Sequence, residues 1–203
     1  MEFRLPYPHI ISSFPDLLMG LAFLVTWIEP GALGSGMVPS LFLVMLMEFI
    51  IIHSSGFMGS VVYTDEAKAL KLKKLLGFGL FYLIFVLGFS LGFHSWWPLV
   101  TFTGLLLNRM LSVLVGQIPT GKELEFIRGQ WALNAVCYLA SVFIVILLPV
   151  PHFGVTAAAF DGFNMSGDFI DRPEKMMAWG TVYFTAIGLF EMKNITLPVR
   201  EAV

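Results

Sequence analysis

The sequence predicts an all-α integral membrane bundle of six transmembrane helices with both termini cytoplasmic. Three observations carry that reading. Hydrophobic residues make up 57% of the 203 and charged residues 13%, with a mean hydropathy of +0.82; a soluble domain is about half apolar and a quarter charged. The apolar residues fall in long runs broken by proline, glycine and charged clusters, which is the pattern of spans and not of one large soluble core. The basic residues fall mostly on alternate loops, as membrane topology requires.

Each span follows from a run and its punctuation. The first, about 14–29, is short; Ser13-x-x-Asp16 with an early proline reads as a capping-box start, and Pro30 ends it. The second is about 39–63, the third about 75–94 with "WWP" after it, and the fourth about 99–118, closed by Pro119. The fifth, about 131–148, is closed by "PVP". The sixth, about 176–190, opens after Asp171-Arg172-Pro173-Glu174, with proline in the first turn and acids near the positive end of the helix dipole. Together they make residues 1–203 a single transmembrane helical domain. The start, "MEFRLPYPHIISSFPDLL", carries one arginine, two early prolines and no small-residue cleavage site, so the expectation is a retained N-terminus.

Orientation follows from the twelve Lys and Arg. With the N-terminus inside, Arg4, Lys68, Lys71, Lys73, Lys74, Lys122, Arg128, Lys193 and Arg200 are cytoplasmic. Arg172 and Lys175 are outside, and Arg109 lies within a span. The positive-inside rule selects this orientation. The expected location is a cell membrane, multi-pass, of the prokaryotic inner-membrane kind. The loop "TDEAKALKLKK" is a topology determinant, or lies along anionic headgroups. In the loop from Pro151 to Pro173, Asp161, Asn164, Asp168 and Asp171 could bind a cation but fit no EF-hand spacing, and the leading reading is a solvated acidic loop. "NMS" at 164–166 and "NIT" at 194–196 match glycosylation sequons, triplets that are common by chance.

The polar residues inside the spans carry the functional question. Glu48 is about nine residues below the outer end of the second span, about 13 Å at 1.5 Å per residue. Arg109 is at similar depth in the fourth span, which runs in the same direction. A lone charge at mid-bilayer costs about 2.5–3.5 kcal/mol on insertion scales, so two opposite charges at matched depth predict a Glu48–Arg109 pair. The face of Glu48 continues to Ser55-x-x-x-Gly59, and that of Arg109 to Ser112-x-x-x-Gly116. Both are small-xxx-small patterns that let backbones approach, so spans two and four are expected to be parallel neighbours. The pair is structural, or belongs to a conduction path. His53 lies about 140° around the helix from Glu48 and shares a face with Gly56 and Ser60. It reads as a hydrogen-bonded histidine at a second helix contact, or as a proton relay. Asn108, Gln117, Asn134 and Tyr138 can extend a polar network.

"GFSLG", Gly88 to Gly92, matches G-x-S-x-G, but a nucleophile elbow needs a strand-to-helix turn and this copy sits in a span. Gly88-x-x-x-Gly92 is read as a packing motif. No catalytic residue, metal site or cofactor is assigned. Cys137 is the single cysteine, so no intramolecular disulfide forms, and the net charge of −2 gives no nucleic-acid footprint. "MEFIIIHSSGFMGSV" followed by "GFGLFYLIFVLGF" resembles a family of small prokaryotic polytopic membrane proteins of unknown function with a glutamate near the start of an early span. The resemblance covers about a quarter of the chain and implies no activity.

The partners expected are the lipid bilayer and further copies of the chain or other membrane subunits. The leading expectation is a non-enzymatic membrane subunit working as an oligomer or within a larger membrane complex. The alternatives are a small ion or proton channel or secondary transporter using Glu48, Arg109 and His53, and an intramembrane enzyme.

Overall fold

The computed structural model describes residues 8–116, 121–163, 166–193 and 195. Arg4, Gln117, Pro119, Asn164, Asn194 and Arg200 lie outside the described residues. The chain is all-α: α1 (Pro8–Ile28), α2 (Met37–Val62), α3 (Lys68–Gly92), α4 (Trp97–Val115), α5 (Lys122–Leu147), a 3-10 turn (Ala157–Phe160), a one-turn α6 (Asp168–Asp171) and α7 (Pro173–Met192). No strand occurs among the described residues. Five helices have the length and apolarity to cross a membrane: α1 over Ile11–Ile28, and α2, α3, α4 and α5 over their full lengths. A chain with five such helices is a polytopic membrane protein in design. The sixth apolar run is helical too, within α7, which carries Glu174, Lys175 and Glu191 at its ends and is not one of those five.

The helices outrun the apolar windows because charged and polar residues continue the backbone hydrogen bonding past the apolar run. The third begins at Lys68 and not near 75, and the fifth at Lys122 and not near 131. The expected cap at Ser13 is corrected: α1 already begins at Pro8, and Ser13 is fully buried inside the helix. Proline suits a first helical turn, where no N–H is needed; Pro15 then sits within the helix and removes one ladder donor. The sixth helix start is as the sequence indicates, with Pro173 in the first turn and Glu174 beside it.

Two compact units divide the chain. The first comprises residues 1–45 and 128–203. Its centre is α7, in which Met176, Met177, Tyr183 and Ile187 are almost fully buried. α1 runs antiparallel to it at very close range. The Phe23 ring stacks on Phe184 with centroids 5.6 Å apart and fills the space where Gly180 has no side chain. Leu17 does the same over Gly188, and Thr185 over Gly20. From α5, the buried Tyr138 donates its hydroxyl to the Met45 carbonyl at 2.9 Å. Its ring lies 4.7 Å from that of Trp179 and 5.4 Å from that of Tyr183.

The second unit comprises residues 46–127. Met47, Ile50, Met58 and Val61 of α2 pack with Leu75, Tyr82 and Val86 of α3 and Phe102, Leu106 and Val113 of α4. α3 is antiparallel to both neighbours: Phe78 stacks on Phe57 at 5.7 Å, and Leu106 occupies the space over Gly79. α2 and α4 therefore run parallel. The lysines at the start of α3 hold the ends of the other two helices. Lys71, buried, donates to the Val62 carbonyl at 3.0 Å, and Lys68 donates to the Leu114 carbonyl at 3.0 Å. Those carbonyls belong to the last turns of α2 and α4, where intrahelical donors run out and the dipole favours a cation. Lys74 pairs with Glu66 at 2.6 Å. Three of the four lysines in the "TDEAKALKLKK" loop region are thus held by the protein itself, and Lys73 is exposed.

Candidate functional site

Arg109 is half-buried in α4 and donates from Nη2 to the Ser55 hydroxyl on α2 at 2.9 Å. Ser55 is seven residues beyond Glu48, about 20° short of two full turns, so it lies on the stripe of α2 that carries Glu48. α2 and α4 run parallel and meet on this stripe, but at Ser55, whereas the partner expected for Arg109 was Glu48. Arg109 holds Ser55, and Glu48 is half-buried about 10 Å further along the same stripe. Both charges sit in membrane-length helices.

The packing roles expected of the small residues are only partly realised. Gly59 is buried with the Tyr63 ring 3.5 Å from where a Cβ would sit. Ser112 turns its hydroxyl back to the Asn108 carbonyl at 2.9 Å. Gly116 ends α4 instead of packing it: its φ of +81° is a left-handed cap that glycine adopts without strain. Gly88 is exposed, with open space where a side chain would be, so Gly88-x-x-x-Gly92 forms no contact face at Gly88 among the described residues. The buried residue of that motif is Ser90, whose hydroxyl has no hydrogen-bond partner among the described residues. It lies inside α3, without the sharp turn a nucleophile requires.

His53 is exposed on α2, its ring 4.2 Å from Phe49 one turn before it. It faces away from the Arg109 contact, since Ser55 lies about 160° around the helix from it. Asn108 is exposed on α4. Asn134 has a buried side-chain oxygen that accepts no hydrogen bond among the described residues.

The sequence did not point to two further sites, both within the first unit. At the last turn of α7, the Gln130 amide donates to the Glu191 carboxylate at 3.1 Å. At the other end, residues 148–163 and 166–172 form a cap. The Trp27 indole donates to the Pro151 carbonyl at 2.9 Å, and the Gly154 amide returns a bond to the Trp27 carbonyl at 3.3 Å. Phe153 meets the Trp27 ring edge-on at 4.9 Å, Phe160 meets Phe42 at 5.3 Å, and Val155 and Phe160 are buried. The Glu174 carboxylate, 2% exposed, accepts from the Arg172 Nε at 3.2 Å and faces the His152 Nδ1 at 3.4 Å. Lys175 pairs with Asp168 at 2.9 Å. Asp161, Asp168 and Asp171 are exposed, as expected of a solvated acidic loop, while the described part of the segment is folded and Asp168 is one of its anchors. Among the described residues no three His, Cys, Asp or Glu side chains come together as metal ligands.

Among the described polar groups of the membrane-length helices, Arg109 and Ser55 form a seam, Tyr138 packs against Trp179 of α7, and His53 and Asn108 face outward. Compared with protein-family models, curated proteins and solved structures, the chain matches none.

Proposed function

We propose that the chain is a non-enzymatic integral membrane subunit that works as an oligomer or within a larger membrane complex. The observation that carries this is the outward placement of His53 and Asn108. Both lie well inside helices of membrane length. Lipid offers them no hydrogen-bond partner, and polar residues at that depth ordinarily meet other protein. Native mass spectrometry after mild extraction is expected to show an oligomer or a defined membrane complex. A monomer that instead carries proton or ion flux in liposomes, lost in Glu48→Gln, would replace this reading with the carrier one.

In this reading the chain crosses the membrane six times, with α7 as the sixth span and both ends in the cytoplasm. Charge supports it. Nine of the twelve Lys and Arg fall on the cytoplasmic side and only Arg172 and Lys175 outside. The resemblance to small prokaryotic membrane proteins supports a prokaryotic inner membrane. In a Cys137→Ser background, Ala158→Cys is expected to react with an impermeant thiol reagent on intact cells. Glu123→Cys is expected to react only after permeabilisation. The reverse pattern would invert the topology.

A further inference from the structure

We propose that α4 is a self-association seam, through which two copies of this chain pair in parallel about Asn108. The proposal rests on the subunit reading above and names its interface.

Thr101, Gly104, Asn108, Leu111 and Val115 are all exposed on α4. Their spacing is 3, 4, 3, 4, the alternation of a helix that keeps one seam turned toward a partner helix at a small left-handed crossing angle. α2 also turns a polar side chain outward at His53, where the Phe49 ring lies beside it. This stripe differs in its centre. Asn108 is eleven residues from Trp97 and seven from Val115, about 16 Å and about 10 Å from the helix ends. Among the described residues its side-chain amide has no partner. Back-bonding by Ser112 engages only its backbone carbonyl. One turn before it, a Cβ on Gly104 would meet nothing within 4 Å, so a second helix can approach its backbone closely.

The occupant follows from the chemistry of the amide. It both donates and accepts, so it is complementary to itself. Copies of one chain enter the membrane in the same orientation, and a two-fold axis along the membrane normal sets α4 parallel to α4. Each Asn108 then meets the same residue at the same depth. A second copy presents the matching group in the matching place. In a parallel pair, a lone asparagine at such a seam position also fixes register and favours two strands.

The test uses the full chain in native membranes, with Cys137 replaced by Ser. Leu111→Cys, on the seam, is expected to form a disulfide-linked dimer under mild oxidation. Ile84→Cys, 70% exposed on α3, is expected not to. Asn108→Leu is expected to weaken the dimer about tenfold in detergent, the effect of losing a symmetric pair of interhelical hydrogen bonds. Leucine faces outward at this position, so unchanged helical circular dichroism will show that the fold persists. If oligomers persist in Asn108→Leu at full strength and Leu111→Cys fails to cross-link, the seam is wrong and the subunit reading stands. Cross-linking of Leu111→Cys to a different protein would also overturn the seam. A wild-type chain that is monomeric and partnerless in the membrane overturns both.

Discussion

Replacing Gly180 with leucine is expected to cost about 3 kcal/mol or more and to separate α1 from α7. A Cβ at that position would stand inside the space of the Phe23 ring, and the ring has little freedom to retreat. Phe23 is fully buried and stacked on Phe184. Overpacking a close-packed core typically costs about 1–3 kcal/mol per intrusion, and leucine adds three carbons beyond the first. Gly180→Ala is expected to be milder, because alanine returns up to about 1 kcal/mol of helix propensity. The measurement is unfolding in a mixed detergent, followed by circular dichroism. Phe23→Leu is the diagnostic second change: in that background Gly180→Ala is expected to lose most of its cost, giving a coupling energy of about 1 kcal/mol or more between the two sites. Additive effects would place the strain elsewhere.

That seam shows what the sequence could and could not express. Hydropathy is local, so the positions of the helices were legible, as was the start of α7, where proline and acid act within one turn. Which face of each helix meets protein was less so. In a soluble protein the buried face is the apolar one, but in a bilayer lipid is as apolar as leucine and both faces look alike. Small residues are then the remaining signal, and they are ambiguous. Gly88 lies in a recognisable motif and faces open space, whereas Gly20, Gly180 and Gly188 lie in no motif and receive Thr185, Phe23 and Leu17. The eight-residue step from Gly180 to Gly188 along the last apolar run was the available clue. Arg109 was legible as a charge at depth that must find a polar group, but the partner read for it was Glu48, whereas its hydrogen bond goes to Ser55, read only as a packing residue. The lysines of α3 carried a topology signal in the sequence, but their role as caps for α2 and α4 depends on where two distant helices end.

The cap was the least legible element, because its anchors join Trp27 to Pro151, 124 residues apart, and it yields the second large expected effect. Gly154→Ala would place a Cβ 2.5 Å from the Ile28 carbonyl oxygen and 2.8 Å from Pro30 Cδ. Neither neighbour can yield: one is backbone at the end of α1, the other a proline ring. The segment must move away, breaking the Gly154–Trp27 hydrogen bond and uncovering Trp27. A shift of that kind costs about 2–3 kcal/mol, so amide exchange over residues 151–160 is expected to accelerate about 30- to 150-fold. Exchange in the middle of α7 should hardly change, since its core contacts lie with α1 and α5. Glu174 provides the internal check. It is held by Arg172, two residues away in sequence, and not only by His152 of the cap. Releasing residues 151–160 therefore leaves the buried carboxylate its Arg172 partner, and the start of α7 should stay protected. If α7 opens together with the cap, the Arg172 contact does not suffice to hold Glu174, and the two are one cooperative element.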